Sequence, residues 1–222
     1  MTAKLFLQET VLLVLMAVAL FASAGTLDWL AAWVLLAEFG VLSLAIGLWL
    51  RVHDPALLAE RMSRPVQENQ QPWDRLFVAC LALGFFGWLA LAGLDWRFEW
   101  SDVPDGARAV GAAAVAGAFV MAWLTFRENS YAAAVVKVQE GQTVVDTGPY
   151  RLVRHPLYVG AMLFFAGASL MLESWWALAG GMLLTLLVAV RAVGEEHVLR
   201  RELPGYEEYA ARVRYRLVPG VW

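Results

Sequence analysis

The chain has 222 residues, 60% of them hydrophobic and 17% charged, with a formal net charge of -3. A soluble domain is roughly 45–50% apolar and about 25% charged, so the composition excludes an ordinary water-soluble globular domain and points to an integral membrane protein. A single cysteine, Cys80, excludes a disulfide framework, and three scattered histidines (His53, His155, His197) argue against a metal centre. Neither a metal nor a nucleic-acid partner is expected.

Lys4 precedes the first apolar run, and Ala22-Ser23-Ala24 resembles a leader cleavage site. The segment is read here as a first membrane helix. Six apolar runs follow one another at about 10–27, 29–50, 76–94, 109–126, 157–172 and 174–193. Four of them approach the ~20 residues that a helix rising ~1.5 Å per residue needs to cross the hydrocarbon. The last two are shorter, separated by charge only at Glu173, and predict a tight helical hairpin. Many of the 11 tryptophans, among them Trp29, Trp49, Trp73, Trp96, Trp175 and Trp176, fall at run ends, as an interfacial belt requires. The expected fold is all-α and polytopic, with about six transmembrane helices, a C-terminal helical hairpin and an amphipathic tail. Residues 1–126 supply four crossings, and residues 127–222 form a second half of linker, hairpin and tail.

The loops are unequal in charge. Arg51, Arg61, Arg64 and Arg75 follow the second run; Arg127, Lys137, Arg151 and Arg154 follow the fourth; Arg200, Arg201, Arg212, Arg214 and Arg216 follow the sixth. The alternate loops hold Arg97 and Arg108 beside Asp28, Asp95, Glu99, Asp102, Asp105 and Glu173. Cytoplasmic loops carry the excess of Lys and Arg, which predicts cytoplasmic termini in a cell inner membrane. The three basic segments would then share one face and could build one site. The Pro- and Gln-rich 51–75 loop reads as a connector with a short interfacial helix near 55–62. The tail after Glu195 reads as a polar helix, broken at Pro204-Gly205, resuming from Tyr206 to about Arg214 and closed by Pro219-Gly220.

Chemistry concentrates in Gly148-Pro149-Tyr150-Arg151-Leu152-Val153-Arg154-His155-Pro156-Leu157-Tyr158-Val159-Gly160. Each proline removes a donor and biases the preceding residue toward extended geometry. The stretch therefore reads as a stiff polar loop delivering His155 and Tyr158 to the mouth of a helix, or else as a juxtamembrane anchor of arginines and tyrosines. Arg191 and Glu195 stand i, i+4 at the end of the sixth run, beside Glu196, and can pair on one helix face. Ionisable groups at such a position default to a functional reading; the competing one is a surface pair with a snorkelling arginine. Glu38 lies alone mid-run. No P-loop, G-x-G-x-x-G, HExxH or Ser-His-Asp order is present.

Residues 129–222 resemble the catalytic half of the isoprenylcysteine carboxyl methyltransferase and phospholipid methyltransferase group of membrane enzymes. The resemblance rests on Asn129 and Gln139, 144–150, Arg154-His155-Pro156-Leu157-Tyr158-Val159-Gly160, Arg191, Glu195-Glu196, Pro204-Gly205-Tyr206-Glu207-Glu208-Tyr209 and Val218-Pro219-Gly220. It implies methyl transfer from S-adenosylmethionine, leaving S-adenosylhomocysteine, to a lipophilic acceptor. Carried over by position, Gln139, Val145, Gly148, Tyr150, His155, Tyr158, Glu195 and Glu196 would bind the cofactor. Arg191, Glu195 and His155 would act at the transfer site. Gln142 stands where prenylcysteine enzymes tend to have histidine, so carboxyl O-, phospholipid N- and thiol S-methylation all stay open. Outside that class stand a membrane scaffold, which has no need of clustered Arg, His and Glu, and a transporter-like protein, which should carry more mid-membrane ionisable groups than Glu38.

Overall fold

The computed structural model describes residues 1–63, 67 and 70–222. Arg64 and Pro65 of the 51–75 loop lie outside the described residues. Among the described residues every regular element is helical: α1 Thr2–Ala24, α2 Leu30–His53, α3 Pro55–Arg61, α4 Pro72–Phe98, α5 Asp105–Glu128, a 3-10 turn Gly148–Arg151, α6 Pro156–Met171, α7 Trp175–Glu202 and α8 Tyr206–Arg212. Five of these (α1, α2, α4, α5 and α7) are long and apolar enough to cross a membrane. Proline opens α3, α4 and α6, where its missing N–H has no partner to lose and its fixed φ suits the first turn. Asp54 caps α3 by accepting from Leu57 N at 2.9 Å, and Ser174 caps α7 by accepting from Ala177 N at 2.8 Å, each satisfying an otherwise orphaned donor.

The hairpin departs from the expected near-equal pair. α6 has 16 residues and α7 has 28, about 24 and 42 Å at ~1.5 Å per residue. The apolar run of α7 ends near residue 193, but no proline interrupts 194–202, and a single glycine, Gly194, is tolerated inside a helix. The polar segment expected after Glu195 is therefore a direct continuation of α7, and it carries Glu195 and Glu196 on a rigid rod. Glu173 turns the chain between the two helices with φ 60°.

α5 packs on α6, α6 on α7, α4 on α7 and on α1, and α1 on α2. The α5–α6 crossing is set by small residues. A Cβ on Gly111 would lie 2.5 Å from the Gly167 carbonyl, and one on Gly167 2.7 Å from the Gly111 carbonyl. Small residues at helix interfaces let backbones approach where lipid provides no hydrophobic drive. The central core joins Leu20, Leu35, Trp88, Leu89, Val115, Phe165, Leu172, Leu184 and Val188. Leu7, Val11, Val14 and Val18 of α1 face outward, which suits a lipid-facing surface.

Long-range contacts gather the basic segments at one end of the bundle. Lys4 Nζ donates to the Met62 carbonyl at 2.7 Å, Arg61 Nη1 to the Ala132 carbonyl at 2.9 Å, and Lys137 pairs with Glu60 at 2.9 Å. The opposite end holds Asp95 bound by Ser101 and Ser174 and the Arg108–Glu173 pair at 3.1 Å.

Candidate active site

The linker 129–147, α6, the end of α7 and the tail close around a cavity of about 230 Å³ at the basic end of the bundle. Local chemistry shapes the linker. Asn129 Oδ1 accepts from Tyr131 N at 2.8 Å, and its Nδ2 donates to the Tyr150 hydroxyl at 2.7 Å. Tyr131 donates its hydroxyl to the Gly141 carbonyl at 2.8 Å. Gln139 Nε2 donates to the Tyr131 carbonyl at 2.9 Å, and its N–H donates to Gln142 Oε1 at 2.9 Å. Gly148 has φ 53°, and a Cβ there would lie 2.5 Å from Glu128 Cγ. Only glycine adopts that geometry against a neighbour without strain.

One continuous polar network runs along the wall. Asp74, fully buried at the start of α4, accepts from Arg191 Nε at 2.8 Å, Gln70 Nε2 at 2.9 Å and Val136 N at 2.9 Å. Arg191 also donates Nη2 to the Ala134 carbonyl at 2.9 Å and Nη1 to the Tyr158 hydroxyl at 3.0 Å. Tyr158 donates to Glu195 Oε2 at 2.6 Å, and its ring stacks on His155 with centroids 5.3 Å apart. His155 Nδ1 stands 3.8 Å from Glu195 Oε2, and its Nε2 is 3.2 Å from Glu196 Oε1. Glu196 is buried between Arg154 Nε at 2.7 Å and Arg216 Nε at 3.1 Å. Adjacent residues on a helix point about 100° apart, so the two glutamates face different surroundings.

Arg154 fastens the tail. Its Nη1 donates to the carbonyls of Val213 at 2.8 Å and Arg214 at 3.1 Å. The backbone N–H groups of Arg154 and His155 donate to the carbonyls of Tyr215 and Arg216 at 2.9 and 3.0 Å. Tyr209 donates to the Tyr150 carbonyl at 2.9 Å. Burial raises the phenol pKa of Tyr150, Tyr206 and Tyr209, and the Glu195 and Glu196 charges push Tyr206 further the same way. All three stay protonated at neutral pH. The Tyr206 hydroxyl is buried and lacks a hydrogen-bond partner among the described residues, although Tyr206 lines the cavity.

Of the residues expected at the site, Val145, Tyr150, His155, Tyr158, Arg191 and Glu195 line the cavity. Gln139, Gly148 and Glu196 are outside its lining: Gln139 braces the linker, Gly148 makes its turn, and Glu196 is consumed by the arginine cage. The expected i, i+4 pairing of Arg191 with Glu195 is replaced by the Arg191–Asp74 ion pair, with Tyr158 bridging Arg191 to Glu195. The sequence reading missed Asp74 and Arg61. An acidic residue in the first turn of a helix reads as a dipole partner; the available signal was its place beside an apolar run at the same end as Arg191. Glu38 is half-buried and lies away from the cavity. Among the described residues no group of three or more His, Cys, Asp and Glu side chains is placed to hold a metal.

Residues 107–204 match the family model of phospholipid methyltransferases. The match contains the Arg-His-Pro loop, Arg191 and the Glu195-Glu196 pair, and it shows the membrane methyltransferase resemblance that those motifs carry. An 84-residue stretch is 34% identical to the nickel-cobalt-cadmium resistance protein NccN of Alcaligenes xylosoxydans xylosoxydans. The alignment covers 37% of this chain and 39% of that protein, well under two thirds of the relative's length.

Proposed function

We propose that this chain, which carries a phospholipid methyltransferase family region at residues 107–204, is an integral membrane methyltransferase that uses S-adenosylmethionine to methylate a lipophilic acceptor. The observation that carries the reading is the Arg191–Tyr158–Glu195–His155 network on the wall of a cavity at the end of an apolar bundle. The donor set fits the cofactor. Glu195 Oε1 has no hydrogen-bond partner among the described residues, and the unpartnered Tyr206 hydroxyl is a second free polar atom in the lining of the same cavity. A carboxylate suits the hydroxyl and amino groups of the cofactor, and Tyr150, Val145, His155 and Tyr158 supply wall around them. Gln139, Gly148 and Glu196 support the reading indirectly by holding the linker, its turn and the tail in place.

The cofactor supplies a methyl group already activated on a sulfonium. The protein's task is then orientation and exclusion of water. Arg191 has five N–H donors, and one on Nη1 remains beyond its bonds to Asp74, Ala134 and Tyr158. That donor can orient a carboxylate acceptor. A thiol or amine acceptor must lose a proton, and Glu195 or His155 stands ready to take it. The basic end of the bundle is assigned to the cytoplasm on loop charge, so the cofactor enters from water and the acceptor from lipid. In this reading residues 1–126 serve the acceptor and residues 127–222 the cofactor.

Calorimetric titration of purified protein with S-adenosylhomocysteine tests it. Binding by wild type and its loss in Glu195→Ala are expected, followed by transfer of label from the cofactor to a lipid, thiol or prenylated-acid panel. A folded Glu195→Ala that binds like wild type refutes the assignment.

A further inference from the structure

We propose that Arg61, at the end of α3, is an anion-binding residue of this cavity that receives a carboxylate. The inference rests on the methyl-transfer reading of the cavity and assigns it a residue outside the family match, in the half of the chain that carries no motif.

The argument is one of charge partners. Four other cations or potential cations line the cavity, and each faces a carboxylate: Arg191 faces Asp74, Arg154 faces Glu196, Lys137 faces Glu60, and His155 stands between Glu195 and Glu196. Arg61 lines the same cavity and, among the described residues, has no carboxylate partner. Its contacts are the Ala132 carbonyl at 2.9 Å and the ring of Phe126, 4.4 Å from the guanidinium carbon. Burial, with the positive charge of Arg191 added to it, pulls its pKa down to about 10. A guanidinium that remains charged at neutral pH under these conditions is short of an anion. It has a planar fork of donors left over, a geometry that matches carboxylate bidentately. The missing partner has two sources, the amino-acid end of the cofactor or an acid on the lipophilic acceptor.

The test is titration of the full-length protein in lipid nanodiscs with four probes: S-adenosylhomocysteine, 5′-methylthioadenosine (which lacks the amino-acid end), decanoate and decanol. Arg61→Met and Arg61→Lys are compared with wild type. If the cofactor is the source, Arg61→Met weakens S-adenosylhomocysteine about 10- to 100-fold, as loss of a charge-assisted pair does, and leaves methylthioadenosine unchanged. If the acceptor is the source, the same variant weakens decanoate relative to decanol and spares S-adenosylhomocysteine. Unchanged affinity for both carboxylates, within about twofold, overturns the proposal and leaves Arg61 as a strap between α3 and the linker. Should Arg61→Met also lose methylthioadenosine, Arg61→Lys decides. Carboxylate binding by Arg61→Lys that is weaker than wild type but clearly tighter than by Arg61→Met supports the charge, since lysine keeps the cation without the fork; equal losses in the two variants overturn the proposal. A wild type that binds decanoate but not S-adenosylhomocysteine defeats the methyl-transfer reading while sustaining the anion site; one that binds neither defeats both.

Discussion

Removing the Asp74 carboxylate is the sharpest perturbation available. Asp74 is fully buried and Arg191 only 8% exposed, so neither charge is screened by water. Asp74→Ala strands the Arg191 guanidinium and orphans the Val136 N–H and the Gln70 amide. Removing one partner of a buried pair typically costs about 3–5 kcal/mol, a large fraction of a typical domain stability of about 5–15 kcal/mol. Arg191→Met leaves the opposite charge buried and should be of similar size. The double variant removes both charges and should cost clearly less than the sum. A coupling of about 2–3 kcal/mol is expected from a double-mutant cycle, since contacting pairs couple by about 0.5–3 kcal/mol and buried charges lie at the upper end. The assay is denaturant unfolding in detergent micelles, with methyl transfer measured on the folded fraction. Asp74→Asn keeps an acceptor oxygen and should retain more stability than Asp74→Ala, yet lose turnover as Arg191 drifts from Tyr158. Additive single effects, with coupling below about 0.5 kcal/mol, would refute the claim that this pair locks α4 to α7.

Two further outcomes follow from the geometry. Glu196→Ala removes the anion shared by Arg154, His155 and Arg216, so the tail after Leu203 should become cleavable by trypsin at Arg212, Arg214 or Arg216 at least tenfold faster; an unchanged digestion rate contradicts the anchoring role. Reporter fusions at Trp222 and near Asp54 should report the same side, the cytoplasm on the charge reading, whereas a fusion near Asp102 should report the opposite side. A shared side for all three overturns the topology.

Both the spans and the loop-charge asymmetry could be read from the linear chain, because lipid demands long uninterrupted apolar helices whatever they pack against. The Arg-His-Pro run, Arg191 and the glutamate pair were equally legible, since they are local words with fixed spacing. The tight hairpin turning at Glu173 was legible as well, and in the structure its outer ends bring His155 within 3.8 Å of Glu195. Partner choice was not legible. Arg191 had Glu195 four residues away and took Asp74, 117 positions distant, because α4 packs on α7 and brings a buried carboxylate to the guanidinium. The division of labour between Glu195 and Glu196 likewise depended on which helix face met Arg154 and Arg216, a rotation that adjacency in sequence leaves open. Arg61 looked like any loop cation. Its want of a carboxylate becomes visible only when the partners of every neighbouring charge are counted in three dimensions, because a missing contact leaves no mark in a sequence.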